Sequence, residues 1–193
     1  MTKLKIAVLS IISILFFGFN MNAQITKSEK ESLRYMYEEE KLAHDMYSVL
    51  SEKYNLPIFK NISKSETYHM SLVENLCLKY DVNIKKNERG IFENLKLQKV
   101  FNQFKIQGEQ NLIQALIIGA TIEDLDIFDL TEYMNTDTNK EIKDVYQKLL
   151  CGSKNHMRAF IRQLKFKETT YTPKYIKNET LLKILNEQHQ KCF

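Results

Sequence analysis

Tryptophan is absent from the 193 residues, and only five glycines and two prolines occur. So few breakers leave little material for the tight turns of a β-sandwich or barrel, and they favour long helices. Basic blocks are missing too: 28 Lys and Arg stand against 24 Asp and Glu, spread along the chain. A near-neutral balance without a basic patch argues against nucleic acid as a partner. Cysteine is scarce. Cys77, Cys151 and Cys192 are widely spaced and odd in number, which excludes a dense disulfide framework or a zinc knuckle. One bridge remains open to them, with at least one thiol free or paired between chains.

What is present begins with a segment to be set aside. Lys3 and Lys5 open the chain, Ile6 to Phe19 are almost continuously apolar, and Asn20-Met21-Asn22-Ala23 ends on a small residue before Gln24. This is the layout of a secretory signal peptide over residues 1–23. The apolar run of about 14 residues falls short of the roughly 20 that span a bilayer, so cleavage is expected rather than stable membrane insertion. Neither a twin arginine nor a cysteine stands at the cleavage point, so the expectation is general export to a periplasmic or secreted location. Residues 24–193 then read as one domain of a size that supports a full hydrophobic core, with 26 basic residues against 24 acidic once Lys3 and Lys5 are gone.

Four long stretches carry helical periodicity: about Lys27 to Tyr54, Ser63 to Tyr80, Glu109 to Met134 and Asn139 to Phe166. Pro57 stops the first, and Ser63-Lys-Ser-Glu66 suggests a capping box for the second. A short helix is expected near Leu95–Ile106, stopped by Gly108, and a small one near Thr180–Asn186 in the tail. No useful strand-period alternation intervenes. The expected fold is all-α: a four-helix bundle with one crossover that carries a short extra helix, followed by a C-terminal tail.

Each long helix has an apolar stripe, and each stripe is interrupted by groups that bind metals. Leu33, Met36, Tyr37, Ala43, Tyr47 and Leu50 enclose Glu40. Ile62, Val73, Leu76 and Tyr80 enclose Glu66 and His69, which three residues' spacing puts on one helix face. Leu116, Gly119, Ile127 and Leu130 carry Glu123 and Asp126, and Ile142, Val145, Leu149, Gly152 and Phe160 carry His156. Taken singly, each has a bland reading as a solvated acid or a satisfied core histidine. Together they fall at a common depth on four helices. Buried carboxylates without Lys or Arg beside them repel one another and cost several kcal/mol each. Two divalent cations would balance Glu40, Glu66, Glu123 and Asp126, with His69 and His156 neutral. Mixed oxygen and nitrogen donors suit iron or manganese, with zinc a competitor.

Glu38-Glu-Glu-Lys-Leu-Ala-His-Asp-Met-Tyr47, Ser65-Glu-Thr-Tyr-His69, Gly119-Ala-Thr-Ile-Glu-Asp-Leu-Asp126 and Gly152-Ser-Lys-Asn-His-Met-Arg-Ala-Phe160 resemble a ferritin-like family of prokaryotes, domain of unknown function 2202, distantly similar to rubrerythrin. The resemblance spans roughly residues 30–176. It implies a ferritin-like four-helix bundle with a dinuclear, di-iron-type centre of two iron ions. In it Glu40 comes from the first helix, Glu66 and His69 from the second, Glu123 from the third with Asp126 as an extra ligand, and His156 from the fourth. Where the pattern has a Glu on the fourth helix, this chain has Ser153. His44, Tyr37, Tyr47 and Ser153 are expected behind the ligands, orienting them, with a solvent-facing position the alternative for His44 and plain core packing the alternative for the two tyrosines. The rubredoxin-like cysteine module is missing, so a redox cycle would need an external electron donor. Homodimerisation is an expectation by analogy with such bundles. Two functions follow as expectations: a metal centre that reacts with peroxide or dioxygen, or a non-catalytic binding or structural bundle with a degenerate or mononuclear metal site.

Overall fold

A computed structural model describes residues 24–136 and 139–192; the expected leader over residues 1–23 lies outside the described residues. Six helices follow one another: α1 Lys27–Tyr54, α2 Pro57–Lys79, α3 Leu95–Gly108, α4 Leu112–Asn135, α5 Lys140–Phe166 and α6 Asn178–Asn186. Among the described residues there is no strand. The fold is all-α, as the composition implies.

Local chemistry explains the helix boundaries. Thr26 caps α1 in a capping box with Glu29, and Asn55 ends it in the left-handed region at φ 48°, where Asn is among the few residues that sit readily. Asn94, Asn111 and Asn139 each accept a backbone N–H at the starts of α3, α4 and α5, satisfying donors the helix cannot. One boundary differs from the sequence expectation. Helix α2 starts at Pro57, not Ser63, with no side-chain cap. Proline at the first helical position has no N–H to leave unsatisfied, so the same residue that stops α1 begins α2. Ser63 lies inside the helix and bonds back to the carbonyl of His44 at 3.2 Å.

The four long helices form a ring in the order α1, α2, α5, α4. Contacts between Tyr47 and Glu123 and between Tyr35 and Asp129 run α1 against α4 in opposite directions. Those between Tyr80 and Glu141 and between His156 and Ser65 do the same for α2 and α5. Because α2 and α4 therefore point the same way, residues 80–111 must travel back along the whole bundle. Buried acids on α1 hold this crossover. Glu38 accepts the backbone N–H groups of Glu93 and Asn94 at 2.6 and 2.7 Å. Asp45 accepts Gly90 N–H at 2.8 Å and pairs with buried Lys41. On α4, Asp124 does likewise for the tail, accepting backbone N–H groups of Lys174, Tyr175 and Ile176 and the Tyr171 hydroxyl. A disulfide between Cys151 and Cys192 fastens the end of the tail to α5, and Cys77 stays free and buried.

The interior is two apolar clusters with a polar layer between them. One holds Met46, Phe59, Leu116 and Phe160; the other holds Met36, Val73, Leu130 and Tyr146. On α5 the buried face runs through Tyr146, with Val145 only half-buried. The polar side chains of this layer lie at residues 38–41 on α1, 63–69 on α2, 123–126 on α4 and 153–156 on α5. The common depth read from the four stripes is this layer.

Candidate metal centre

Nine acids are buried among the described residues, and they sort by what their oxygens meet. Glu29, Glu38, Asp45 and Asp124 accept backbone N–H groups. They are structural clamps, paired where they are buried. Glu39, Glu40, Glu66, Glu123 and Asp126 are left in the polar layer, with no Lys or Arg ion pair among the described contacts.

Their geometry is built around Glu66. Its Oε2 lies 2.7 Å from His69 Nδ1, and its Oε1 lies 2.9 Å from His156 Nδ1. His69 Nδ1 is also 3.2 Å from Glu40 Oε2, and His156 Nδ1 is 3.5 Å from Glu123 Oε2. The two imidazoles stack with centroids 5.5 Å apart. Two groups of three result, Glu40–Glu66–His69 and Glu66–Glu123–His156, and within each the candidate ligand atoms all lie within 4.8 Å of one another. Glu66 belongs to both. The first group joins α1 to α2, the second joins α2 to α4 and α5, and all five residues sit in the polar layer.

The charges explain one another. Burial opposes charging the His156 ring, but the carboxylates of Glu66 and Glu123 outweigh it and push its pKa up to about 10. His69 is raised in the same way, against its burial, by Glu66 and Glu40. Burial would lift Glu66, yet two imidazoles face it, and its carboxyl falls well below the ordinary range. Glu40 faces one imidazole at the longer distance, so burial prevails and its pKa rises to about 7. Glu123 is raised by burial against the pull of His156. Two imidazolium rings thus take the positions of positive charge that a cation pair would supply.

The surroundings orient these groups. His156 Nε2 lies 3.1 Å from Ser65 Oγ, which turns Nδ1 toward the carboxylates in the manner that fixes a ligand histidine. A Cβ on Gly152 would lie 2.6 Å from His69 Nε2, so the missing side chain is what admits the ring beside α5. The Tyr47 hydroxyl donates to Glu123, and the ring packs on Phe160 at 5.4 Å. Ser153 donates to Asp126 Oδ2. Glu40 Oε1 and Asp126 Oδ1 are buried without a hydrogen-bond partner, a costly state in a protein interior.

Of the sequence-derived residues, the structure brings Glu40, Glu66, His69, Glu123 and His156 into the two groups, with Asp126 beside them. Tyr47 and Ser153 touch them. Two expectations require correction. His44 sits on Asp45 Oδ1 at 3.0 Å with a third of its side chain exposed, because its position on α1 turns it away from the polar layer. Tyr37 packs into the apolar cluster around Cys77, one helical turn from Glu40 but toward α2's far end. Sequence reasoning missed Ser65 and Glu39. Serine carries no ligand signal of its own, and Glu39 is indistinguishable from its acidic neighbours until α4 is packed against it.

Comparison with known proteins agrees on extent. The pattern of the family described as "Uncharacterized protein domain (DUF2202)" matches residues 29–188. The chain is 43% identical over 169 residues to the uncharacterized protein MJ0754 of Methanocaldococcus jannaschii, covering 86% of this chain and 91% of that protein. The crystal structure of the hypothetical protein MJ0754 superposes with a TM-score of 0.84 at 44% identity, covering 86% of this chain and 96% of that one.

Proposed function

This chain belongs to the family of the uncharacterized protein domain DUF2202, and on that premise we propose that it is an exported, ferritin-like metal-binding protein with a dinuclear carboxylate/histidine site. The observation that carries the reading is the shared Glu66: one buried carboxylate serves two groups of three candidate ligands drawn from four helices. The donors fit cations. Oxygens of Glu40 and Asp126 are buried without partners, and the imidazoles already meet the acids edge-on through Nδ1. Carboxylate oxygen with imidazole nitrogen suits two iron ions best, with manganese or zinc as alternatives. The single long crossover is the connectivity of ferritin-like bundles.

Glu40, Glu66 and His69 would hold one ion, and Glu66, Glu123 and His156 the other. Bound there, such ions supply Lewis acidity and electrons for reaction with peroxide or dioxygen. The chain's own residues set the conditions: Tyr47 holds Glu123, Ser65 orients His156, and the apolar clusters on either side exclude bulk water. Repeated turnover would draw on an external electron donor. Export is supported by the leader-like layout of residues 1–23 and by the Cys151–Cys192 bridge, since such bridges persist in oxidising compartments. Among the described residues no helix is long and apolar enough to cross a membrane.

A second reading, a structural bundle in which the metal is a clamp, draws on Ser153, a hydroxyl where a further acid would strengthen a redox centre. One comparison separates the two. Protein purified without chelators is analysed for iron, manganese and zinc and assayed for peroxide consumption, beside the Glu66→Ala/His69→Ala double variant. A redox protein carries about two ions per chain, and the variant folds but consumes no peroxide. A clamp loses stability in the variant and consumes none in either form. Wild-type protein that retains no divalent ion would overturn both.

A further inference from the structure

The two groups of three hold only three carboxylates between them, Glu40, Glu66 and Glu123. Two divalent cations with neutral imidazoles need four negative charges for neutrality, and in a low-dielectric core an uncompensated charge is expensive. The cationic side chains nearby are committed elsewhere. Lys41 is held by Asp45 and the Glu88 carbonyl, and Arg158 by the carbonyl of Ile184 in the tail.

A fourth carboxylate stands at the same depth. Asp126 lies one helical turn past Glu123 on α4 and is 5% exposed. Its Oδ1 has no hydrogen-bond partner, while its Oδ2 takes the Ser153 hydroxyl from across the core. Ser153 is fully buried and one turn before His156 on α5, on the side of that helix that faces the cluster. Helix α5 therefore offers a hydroxyl where it could have offered an acid, and that hydroxyl holds an acid that comes from α4.

We propose that Asp126 is the carboxylate that completes a two-cation site, and that Ser153 is its positioning residue. The inference rests on the metal-binding reading above and adds to it the atom by which Asp126 would serve and the residue on α5 that holds it. Asp126 Oδ1 is the donor atom, Oδ2 is the atom Ser153 holds, and the pair replaces one acidic side chain on α5 by two residues on facing helices. Ser153 meets only one of the two Asp126 oxygens, and its Oγ also lies 2.8 Å from the carbonyl of Leu149; Oδ1 stays buried without a partner in the polar layer, the atom left to meet a cation.

The test exchanges the two residues. Full-length wild type, Asp126→Asn, Ser153→Ala and the double variant Asp126→Ser/Ser153→Glu are loaded with manganous ion, desalted and analysed for ions per chain. Affinities follow by competition with a chelator, and circular dichroism and thermal melts report folding. Wild type should hold two ions and Asp126→Asn one. Ser153→Ala should keep two with the weaker ion loosened about tenfold to a hundredfold, the range of lost outer-shell partners. The double variant should return to two, because it moves the carboxylate to α5 without changing the charge. Should Asp126→Asn hold two ions at wild-type affinity, or the double variant stay at one while folded, the assignment is overturned. Wild type that binds no ion at all would overturn the metal-binding reading itself, a result distinct from either.

Discussion

Acidifying a solution of the protein and a divalent cation from about pH 8 to about pH 6 sets the proton against the cation on the same two rings. In the metal-free protein His156 carries a proton across this window, since the acids hold its pKa up to about 10, and Glu66 and Glu40 favour the protonated ring of His69 against its burial. Each ring must release that proton before its nitrogen can bind a metal. Two rings give two protons, and Glu40, with a pKa of about 7, adds a fraction of a third. Affinity for the cation pair should therefore rise about 100-fold per pH unit, equal to about 2.7 kcal/mol. Titration calorimetry with manganous ion in buffers of different ionisation enthalpy counts the released protons directly. Stability supplies a second readout, with a definite sign. The His156 pairing is fully present below about pH 6.5, the ordinary histidine value, and is lost as pH rises through about 10, so the metal-free protein weakens across that window. The metal-loaded protein should not. Release of fewer than one proton, with an affinity flat from about pH 6 to about pH 8, would refute the assignment of these rings as ligands.

Two further perturbations test the frame around the site. Gly152→Ala places a Cβ 2.6 Å from His69 Nε2; the buried ring has nowhere to go, so urea denaturation should show a loss of about 1–3 kcal/mol, with weaker binding in the Glu40–Glu66–His69 group. An unchanged midpoint would mean that α5 yields more easily than its packing implies. Breaking the Cys151–Cys192 bridge with a dithiol, or by Cys192→Ser, opens a loop of 41 residues and should cost at most about 4 kcal/mol by chain entropy. A denaturation midpoint that reduction leaves in place would show that the tail is held by the hydrogen bonds of Asp124 and Arg158 and by the packing of Leu181 and Ile184, without need of the bridge.

Much of this architecture was legible because helices write their period into the sequence. The bounds Lys27–Tyr54 follow from a threonine cap at one end and a proline at the other. Counting along each stripe then puts Glu40, Glu66, His69, Glu123 and His156 at one level, since 3.6 residues make a turn in every helix. Where a local signal had two meanings, counting failed. Pro57 reads equally as the end of α1 and the start of α2. His44 and Tyr47 are both near Glu40 in sequence, and only the direction in which α4 packs makes Tyr47 the one that reaches Glu123.

Composition and periodicity by themselves determined that the chain is helical, how long the helices are, and which faces carry acids and imidazoles into the core. These depend on interactions between residues three or four apart. Only the tertiary structure decided which acids are clamps and which are candidate ligands. Glu38, Glu39 and Glu40 are consecutive and all buried, yet one binds the crossover backbone, one lies toward α4 and one meets His69. It also decided that Cys151 pairs with Cys192 and that Asp126 is held by Ser153. Those partners lie 27 to 55 residues apart, and no local period carries information over such a distance. The energy of burying a charge depends on what the rest of the chain brings to it.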